Sequence, residues 1–259
     1  EENKNPARLH IVIAGGGFTG IEYAGELADR IPELSKEYDV DKTQIRIIII
    51  ECGSTILPGQ RLESINYAMN SLASRGVEFI TNARIVETKP DAAIYEKGGK
   101  KVELPTKTVV WTAGVRGNPV LEKSGIPTTD GKVEVGENLT LPEDKSIYIV
   151  GDCARITNPE TGEWMPANAE TAIASANTAA RNIKAQLNGE PLVPLEPKEK
   201  PLVASLGSTD GVTLSEKRKT NFGWKATMLK RLCWNRHLLE IGGFHLLMKK
   251  GRFNFFHMH

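Results

Sequence analysis

Residues 9–27, "LHIVIAGGGFTGIEYAGEL", pass from an apolar run through a glycine-rich turn into a helical repeat. The run at residues 9–14 has the make-up of a buried parallel strand, and Ile21, Ala24, Leu27 and Ala28 recur at helical spacing. Between them Gly15, Gly17 and Gly20 form a G-x-G-x-x-G pattern. In a strand, turn and helix unit the first glycine allows the tight turn and the second lets the backbone approach a pyrophosphate. The third lets the helix pack close to the strand, and the positive end of the helix faces the phosphates. The spacing therefore predicts a dinucleotide on this turn, with Gly15, Gly16, Gly17, Phe18, Thr19 and Gly20 as candidate contacts. A second apolar strand, "IRIIIIE", ends on Glu51, where such a unit uses an acid to accept hydrogen bonds from the adenosine ribose and to repel a 2′-phosphate. NAD(H) is expected over NADP(H) for that reason, with a solvated strand end as the plain alternative for Glu51. The intervening "RIPELSKEYDVDKTQ" lengthens the usual spacing and reads as a polar extension of the helix or a surface loop.

Composition narrows the class. The 259 residues are enough for one large or two modest domains, and 40% hydrophobic with 25% charged content is ordinary for a globular protein. The longest clean apolar run, residues 47–50, is far short of the roughly 20 needed to span a bilayer, and residues 1–10 lack the apolar segment of an export signal. Cys52, Cys153 and Cys233 are odd in number and widely spaced. They suit reduced thiols in a cytoplasmic setting better than a disulfide frame or a zinc site, with a redox-active cysteine as the alternative.

Beyond Pro58 a helix is predicted near residues 62–74, then a strand "VEFI" and an antiparallel meander at "ARIVET", "AAIYEK" and "KVEL". An apolar strand resumes at residues 108–119, "TVVWTAGVRGNP", where Thr112, Ala113 and Gly114 would let the chain approach a flat nucleotide. Trp111 there reads more readily as core. "DGKVEVGENLT", "SIYIVGDCARI" and a long helix near residues 167–187 follow, then a proline-rich connector.

The order "IAGGGFTGIEYAGEL", "IIIIECGSTILP", "VVWTAGV", "GKVEVGENLT", "SIYIVGDCARI" and "PANAETAIASANTAARNI" resembles the two-dinucleotide-binding flavoproteins and, within them, the type II NADH:quinone oxidoreductases. The resemblance covers residues 9–187. It implies an α/β fold in three parts: a Rossmann-like NAD(H)-binding domain at residues 1–118, the second part of an FAD-binding domain at 119–190, and a C-terminal α+β membrane-association module at 191–259. It also implies that Asp152 reaches the ribityl and phosphate region of FAD while Gly151 admits close approach. The helix beginning "PANAETAIA" would pass under the isoalloxazine and line the quinone entrance, carrying Ala169 and Glu170 where the pattern usually has Ala-Gln. Glu170 as an ordinary helix-surface acid stands beside that reading. Glu22, two residues past the last fingerprint glycine, suits the start of a helix on electrostatic grounds alone. In the resembling enzymes it positions the dihydronicotinamide or relays a proton toward the quinone. Those enzymes begin with a separate glycine-rich unit for the ADP half of FAD, so this chain is expected to be a C-terminal fragment lacking that half, and FAD binding or turnover by it alone is not expected. The complete enzyme would be a peripheral, non-proton-pumping NADH:quinone oxidoreductase on the cytoplasmic side of the cell membrane, and a homodimer is compatible with the resemblance. A soluble NADH-dependent flavoprotein reductase and a non-catalytic NAD-binding module are the alternatives.

A formal net charge of +1 hides a basic tail, since residues 217–252 carry ten Lys or Arg against one acid, Glu240. Interleaved aromatics, among them Phe222, Trp224, Trp234, Phe244, Phe253, Phe255 and Phe256, suit an interfacial segment on an anionic membrane surface holding the quinone. Docking on the protein core and nucleic-acid binding are the competing readings, and nucleic acid is not taken as a partner. On the interfacial reading, removing the segment after Pro201 should leave nucleotide binding nearly unchanged.

Overall fold

The computed structural model describes residues 5–196, 202–214 and 220–253. Two compact units emerge, one of residues 1–114 with 201–259 and the other of residues 115–200. The first unit opens with β1 (His10–Ala14), α1 (Phe18–Glu37), β2 (Arg46–Ile50), α2 (Leu62–Ala73) and β3 (Val77–Ile80). Next come the meander β4 (Ala83–Thr88), β5 (Ala92–Lys97) and β6 (Lys100–Pro105), and then β7 (Thr108–Trp111). Leu9 ends a short 3-10 turn rather than starting β1. The expected strand at residues 108–119 stops at Trp111. Of the two readings of the polar stretch at residues 30–44, its first part extends α1 as far as Glu37 and the rest lies outside that helix.

β3, β2, β1 and β7 form a parallel sheet in that order. Such a sheet is covered on both faces, which is why "IIII" is uninterrupted rather than alternating with polar residues. Successive side chains nevertheless part to opposite faces. Ile13, Ile47 and Ile49 enter one cluster with Ile21, Ala24 and Leu72 of the helices. Val12, Ile48 and Ile50 enter another with Ala83 and Ala93 of the meander.

The second unit contains α3 (Val120–Lys123), β8 (Val133–Glu134), β9 (Ala154–Arg155) and α4 (Ala169–Asn188) around a core that includes Val133, Leu139, Ile149 and Ile156. "SIYIV" is not a ladder strand here, and Tyr148 makes a lone bridge to Thr140. Asn168 caps α4 by accepting from the Thr171 amide at 2.9 Å, and Gly189 ends it at φ 70°.

The chain then returns to the first unit as β10 (Leu202–Ser205), β11 (Gly211–Leu214) and α5 (Trp224–Lys250). The first two pair antiparallel. Ala204, Leu206, Val212 and Leu214 are buried in the same cluster as Ile13, Ile21 and Leu72. Gly25, inside α1, makes room for this hairpin, because a Cβ there would lie 2.4 Å from the Leu206 carbonyl carbon and 2.6 Å from the Gly207 nitrogen. A polar network bolts the same contact: Asp29 receives Arg75 at 2.9 Å and the Ser208 amide at 2.8 Å, and Tyr67 donates to Asp210 at 2.8 Å. Burial, reinforced by the Asp210 carboxylate, pushes the Tyr67 hydroxyl up to about 12. The division thus differs from the three expected parts. Apolar faces of α1 and α2 are closed by a hairpin from the C-terminal region, so that region shares the nucleotide unit's core.

α5 is broken at Gly243, whose φ of 63° and ψ of −166° are non-helical. The Asn235 side chain accepts from the Arg252 amide at 2.7 Å and donates to the Arg252 carbonyl at 3.0 Å. In an unbroken helix those residues, 17 apart, would be separated by about 25 Å, so the chain after Gly243 folds back along the first limb. Ala226, Thr227, Asn235 and Leu238 are buried. At the bend Ile241 and Phe244 are 63% and 69% exposed, with Leu239 and Met248 also open. Phe255, Phe256 and residues 217–219 lie outside the described residues. Among the described residues no helix is long and apolar enough to cross a membrane.

Candidate functional site

At the carboxyl end of the parallel sheet, Gly15, Gly17, Glu51, Thr112, Ala113 and Gly114 converge on one cavity of about 500 Å³. Its floor is the fingerprint turn. Gly15 has φ of 103°, a conformation L side chains rarely adopt, and its amide donates to the Ile50 carbonyl at 2.8 Å. Gly20 sits against the turn so closely that a Cβ would meet the Gly15 oxygen at 2.0 Å. Gly17 has open space around its missing Cβ, as a residue facing a phosphate needs. Thr112 latches the end of β7 to the turn by donating to the Ala14 carbonyl at 2.7 Å.

Gly16, Phe18, Thr19 and Gly20 do not line this cavity. Gly16 is buried beneath Glu51 and against Ile56, whose methyl a Cβ would meet at 2.8 Å. Phe18 packs on the core cluster, and Thr19 is exposed.

Glu51 is more than a strand end. Its Oε2 accepts from the Gly16 amide at 2.6 Å, and its Oε1 accepts from the Gly53 amide at 2.7 Å and the Cys52 thiol at 3.2 Å. Only 7% of the residue is exposed. Burial pushes its carboxyl up, but the amides of Gly53 and Gly16 and the Cys52 thiol outweigh that and hold it below its ordinary 4.5. The bond to Glu51, then its burial, push the Cys52 thiol up.

Trp111, read from the sequence as core, is 59% exposed and lines the cavity, its indole donating to the Ala113 carbonyl at 3.2 Å. Arg84 lines it as well. Neither its place in the strand "ARIVET" nor its charge marked it beforehand.

Glu22 lies in the second turn of α1, because the helix already begins at Phe18. What holds it is tertiary rather than the helix end: it accepts from the Ser205 amide at 3.0 Å and from the Lys230 ammonium, which also donates to the Ser205 hydroxyl at 3.0 Å. Lys230 carried no sequence signal, being one of many basic residues in the tail.

In the second unit, Gly151 (φ 66°) and Asp152 form a 3-10 turn packed on the start of α4, with the Gly151 amide donating to the Ser175 hydroxyl at 3.1 Å. The Asp152 side chain is exposed, and nothing among the described residues bonds it. Ala169 and Glu170 open α4 after the Asn168 cap, where an acid is favoured by the helix dipole. An exposed carboxylate at this turn can accept from ligand hydroxyls, and the N-terminus of α4 is the part that favours an anion.

The family model for the pyridine nucleotide-disulphide oxidoreductases matches residues 1–182. The type II NADH:quinone oxidoreductase of Staphylococcus aureus (strain NCTC 8325 / PS 47) is 36% identical over 252 residues, covering 97% of this chain and 62% of that protein. The protein of that name from strain COL gives the same figures. The chain therefore spans 62% of the length of the curated relatives it matches. Among solved structures, NDH2 from Plasmodium falciparum in complex with NADH superposes with a TM-score of 0.80 at 18% identity, over 96% of this chain and 66% of that one. The sulfide:quinone oxidoreductase from Aquifex aeolicus does so at 0.66 and 19%, over 89% and 58%. At these identities the superpositions establish the fold.

Proposed function

Because the chain belongs to the pyridine nucleotide-disulphide oxidoreductase family, we propose that it carries the NADH-binding part, and one face of the flavin-binding part, of a non-proton-pumping NADH:quinone oxidoreductase. The observation that carries this reading is the convergence of the fingerprint turn, Glu51 and residues 112–114 on one cavity large enough for a nucleotide. Gly15 and Gly17 would bring backbone to the pyrophosphate, and Glu51 would accept from the adenosine ribose. Glu22, pinned by Ser205 and Lys230, would position the dihydronicotinamide and relay a proton toward the quinone. Asp152 would hold the flavin's ribityl and phosphate region. A bound flavin would supply the acceptor that takes hydride from NADH and then reduces the quinone. Calorimetric titration of this chain with NADH is the direct test, with a dissociation constant expected between about 1 μM and 1 mM. Absence of heat at millimolar NADH would remove the cavity from nucleotide binding.

The exposed bend of α5 supports attachment to the cytoplasmic surface of a cell membrane, where a lipid-soluble quinone resides. Ile241 and Phe244 project from it, and Lys249 and Lys250 lie further along the second limb, while Arg236 on the first limb is paired with Glu240 at 2.7 Å. Removing such a side chain from water yields roughly 1.5–3 kcal/mol, and each nearby cation adds about 1 kcal/mol on an anionic surface. The double variant Ile241→Glu, Phe244→Glu should therefore co-sediment with anionic liposomes at least about tenfold less than wild type, with NADH affinity unchanged. Wild-type binding should weaken with salt without vanishing, because the apolar part is not screened. Undiminished sedimentation of the double variant would exclude the bend as the attachment point.

A further inference from the structure

Arg46 and Arg75 of the first unit are satisfied by acids. Arg46 binds Glu78 through two bonds, of 2.7 and 2.6 Å, and Arg75 binds Asp29 at 2.9 Å. Arg84 is different: among the described residues it has no hydrogen bond or ion pair, although Glu96 stands opposite it across the β4–β5 ladder. Its position is fixed by backbone. The Ala83 amide donates to the Glu51 carbonyl at 3.0 Å and the Asn82 amide to the Gly53 carbonyl at 2.8 Å, so β4 starts directly against the loop that follows Glu51. Ala83 is buried in the cluster beneath Ile50, and alternation along the strand turns Arg84 outward, where it lines the cavity together with Glu51 and Cys52. Its charge reaches the Cys52 thiol, working against the effect of Glu51 there.

We propose that Arg84 is the cation that lets the adenosine end of this cavity accept a 2′-phosphate, and that it thereby sets how strongly the site prefers NADH over NADPH. The inference rests on the reading of the cavity as a nucleotide site and adds to it a second, opposing determinant. Glu51 disfavours a phosphate on the ribose by charge. An arginine with no hydrogen bond or ion pair among the described residues offers a planar fork of donors matched to phosphate oxygens. A pyrophosphate needs no such side chain here, because the turn at Gly15 and Gly17 and the start of α1 already face it. NADPH is then a weaker ligand than NADH but not an excluded one, and the gap is governed by residue 84.

Calorimetry on wild type, Arg84→Ala and Arg84→Lys, with NADH, NADPH, 5′-AMP and 2′,5′-ADP as ligands, tests this. Arg84→Ala should weaken NADPH and 2′,5′-ADP by about tenfold or more while NADH and 5′-AMP change by less than about threefold, the size expected for losing one charge-assisted phosphate contact. Arg84→Lys should restore part of the NADPH affinity, since it keeps the charge and loses the fork. Equal weakening of all four ligands by Arg84→Ala would assign the residue to the shared part of the nucleotide, and no weakening would remove it from the site; either result overturns the proposal while leaving the cavity a nucleotide site. Failure of wild type to bind NADH at all would overturn the nucleotide reading and this inference with it.

Discussion

Removal of residues 201–259 is expected to destroy the nucleotide unit, not merely to release it from a membrane. Ala204, Leu206, Val212 and Leu214 are essentially buried, and they close a cluster that also contains Ile13, Ile21, Ala24 and Leu72. Burying each of the larger side chains is worth about 1.5–3 kcal/mol, and deletion exposes the helix faces on the other side of the contact as well. A typical domain has a net stability of only about 5–15 kcal/mol, so these losses together are of the order of the whole margin. The truncated chain should lose the nucleotide unit's thermal transition and show no NADH binding by calorimetry. A folded truncation with unchanged NADH affinity would mean the hairpin is peripheral. A single substitution probes the same contact. Gly25→Ala should gain about 1 kcal/mol from helix propensity. The added methyl lies 2.4 Å from a backbone carbonyl carbon that cannot swing away, so overpacking wins and the net result is a loss of roughly 1–2 kcal/mol.

Glu51→Ala is expected to have the next largest effect, and to act on the turn as well as on the ligand. Without the carboxylate, the amides of Gly16 and Gly53 lose their acceptor in a largely buried place, at about 1–3 kcal/mol each. The fingerprint turn would lose the strut that joins it to the loop after β2. A fall in thermal stability of roughly 2–4 kcal/mol should accompany a drop in NADH affinity of about two orders of magnitude, measured at a temperature where the variant is folded. Glu51→Gln should not rescue it, because one half of its amide would present donors to a backbone donor. The sign of the pH dependence follows from the same bonds. A carboxyl held below its ordinary 4.5 in the folded state contributes stability that is fully present above that value and is lost as pH falls through the lower folded value. Wild type should therefore lose melting temperature in acid more steeply than Glu51→Gln. Parallel curves would remove Glu51 from the balance.

Much of the fold was legible along the chain. The strand, turn and first helical turns at residues 10–28, the second strand running into Glu51, and the three meander strands follow from side-chain periodicity and from glycine's access to positive φ at Gly15, all of which act over a few residues; the run of α1 on to Glu37 was left open against a surface loop. The acid after β2 was visible because it closes a motif of recognisable order. Its attachment to the Gly16 and Gly53 amides was not, since that depends on how a loop folds back. The cavity wall contributed by Trp111 and Arg84 comes from strands that reach the fingerprint only when the sheet and meander assemble. Likewise, the tail's mixture of aromatic and basic residues suited lipid, core and nucleic acid alike in sequence. Only the tertiary structure separates it into a hairpin whose apolar side chains fill the nucleotide unit's core, a Lys230 that meets Glu22, and a bend that leaves Ile241 and Phe244 outside. Periodicity along a chain states which face of an element is apolar. What that face is buried against is settled by contacts between residues as far apart as Gly25 and Leu206, and no local pattern encodes those.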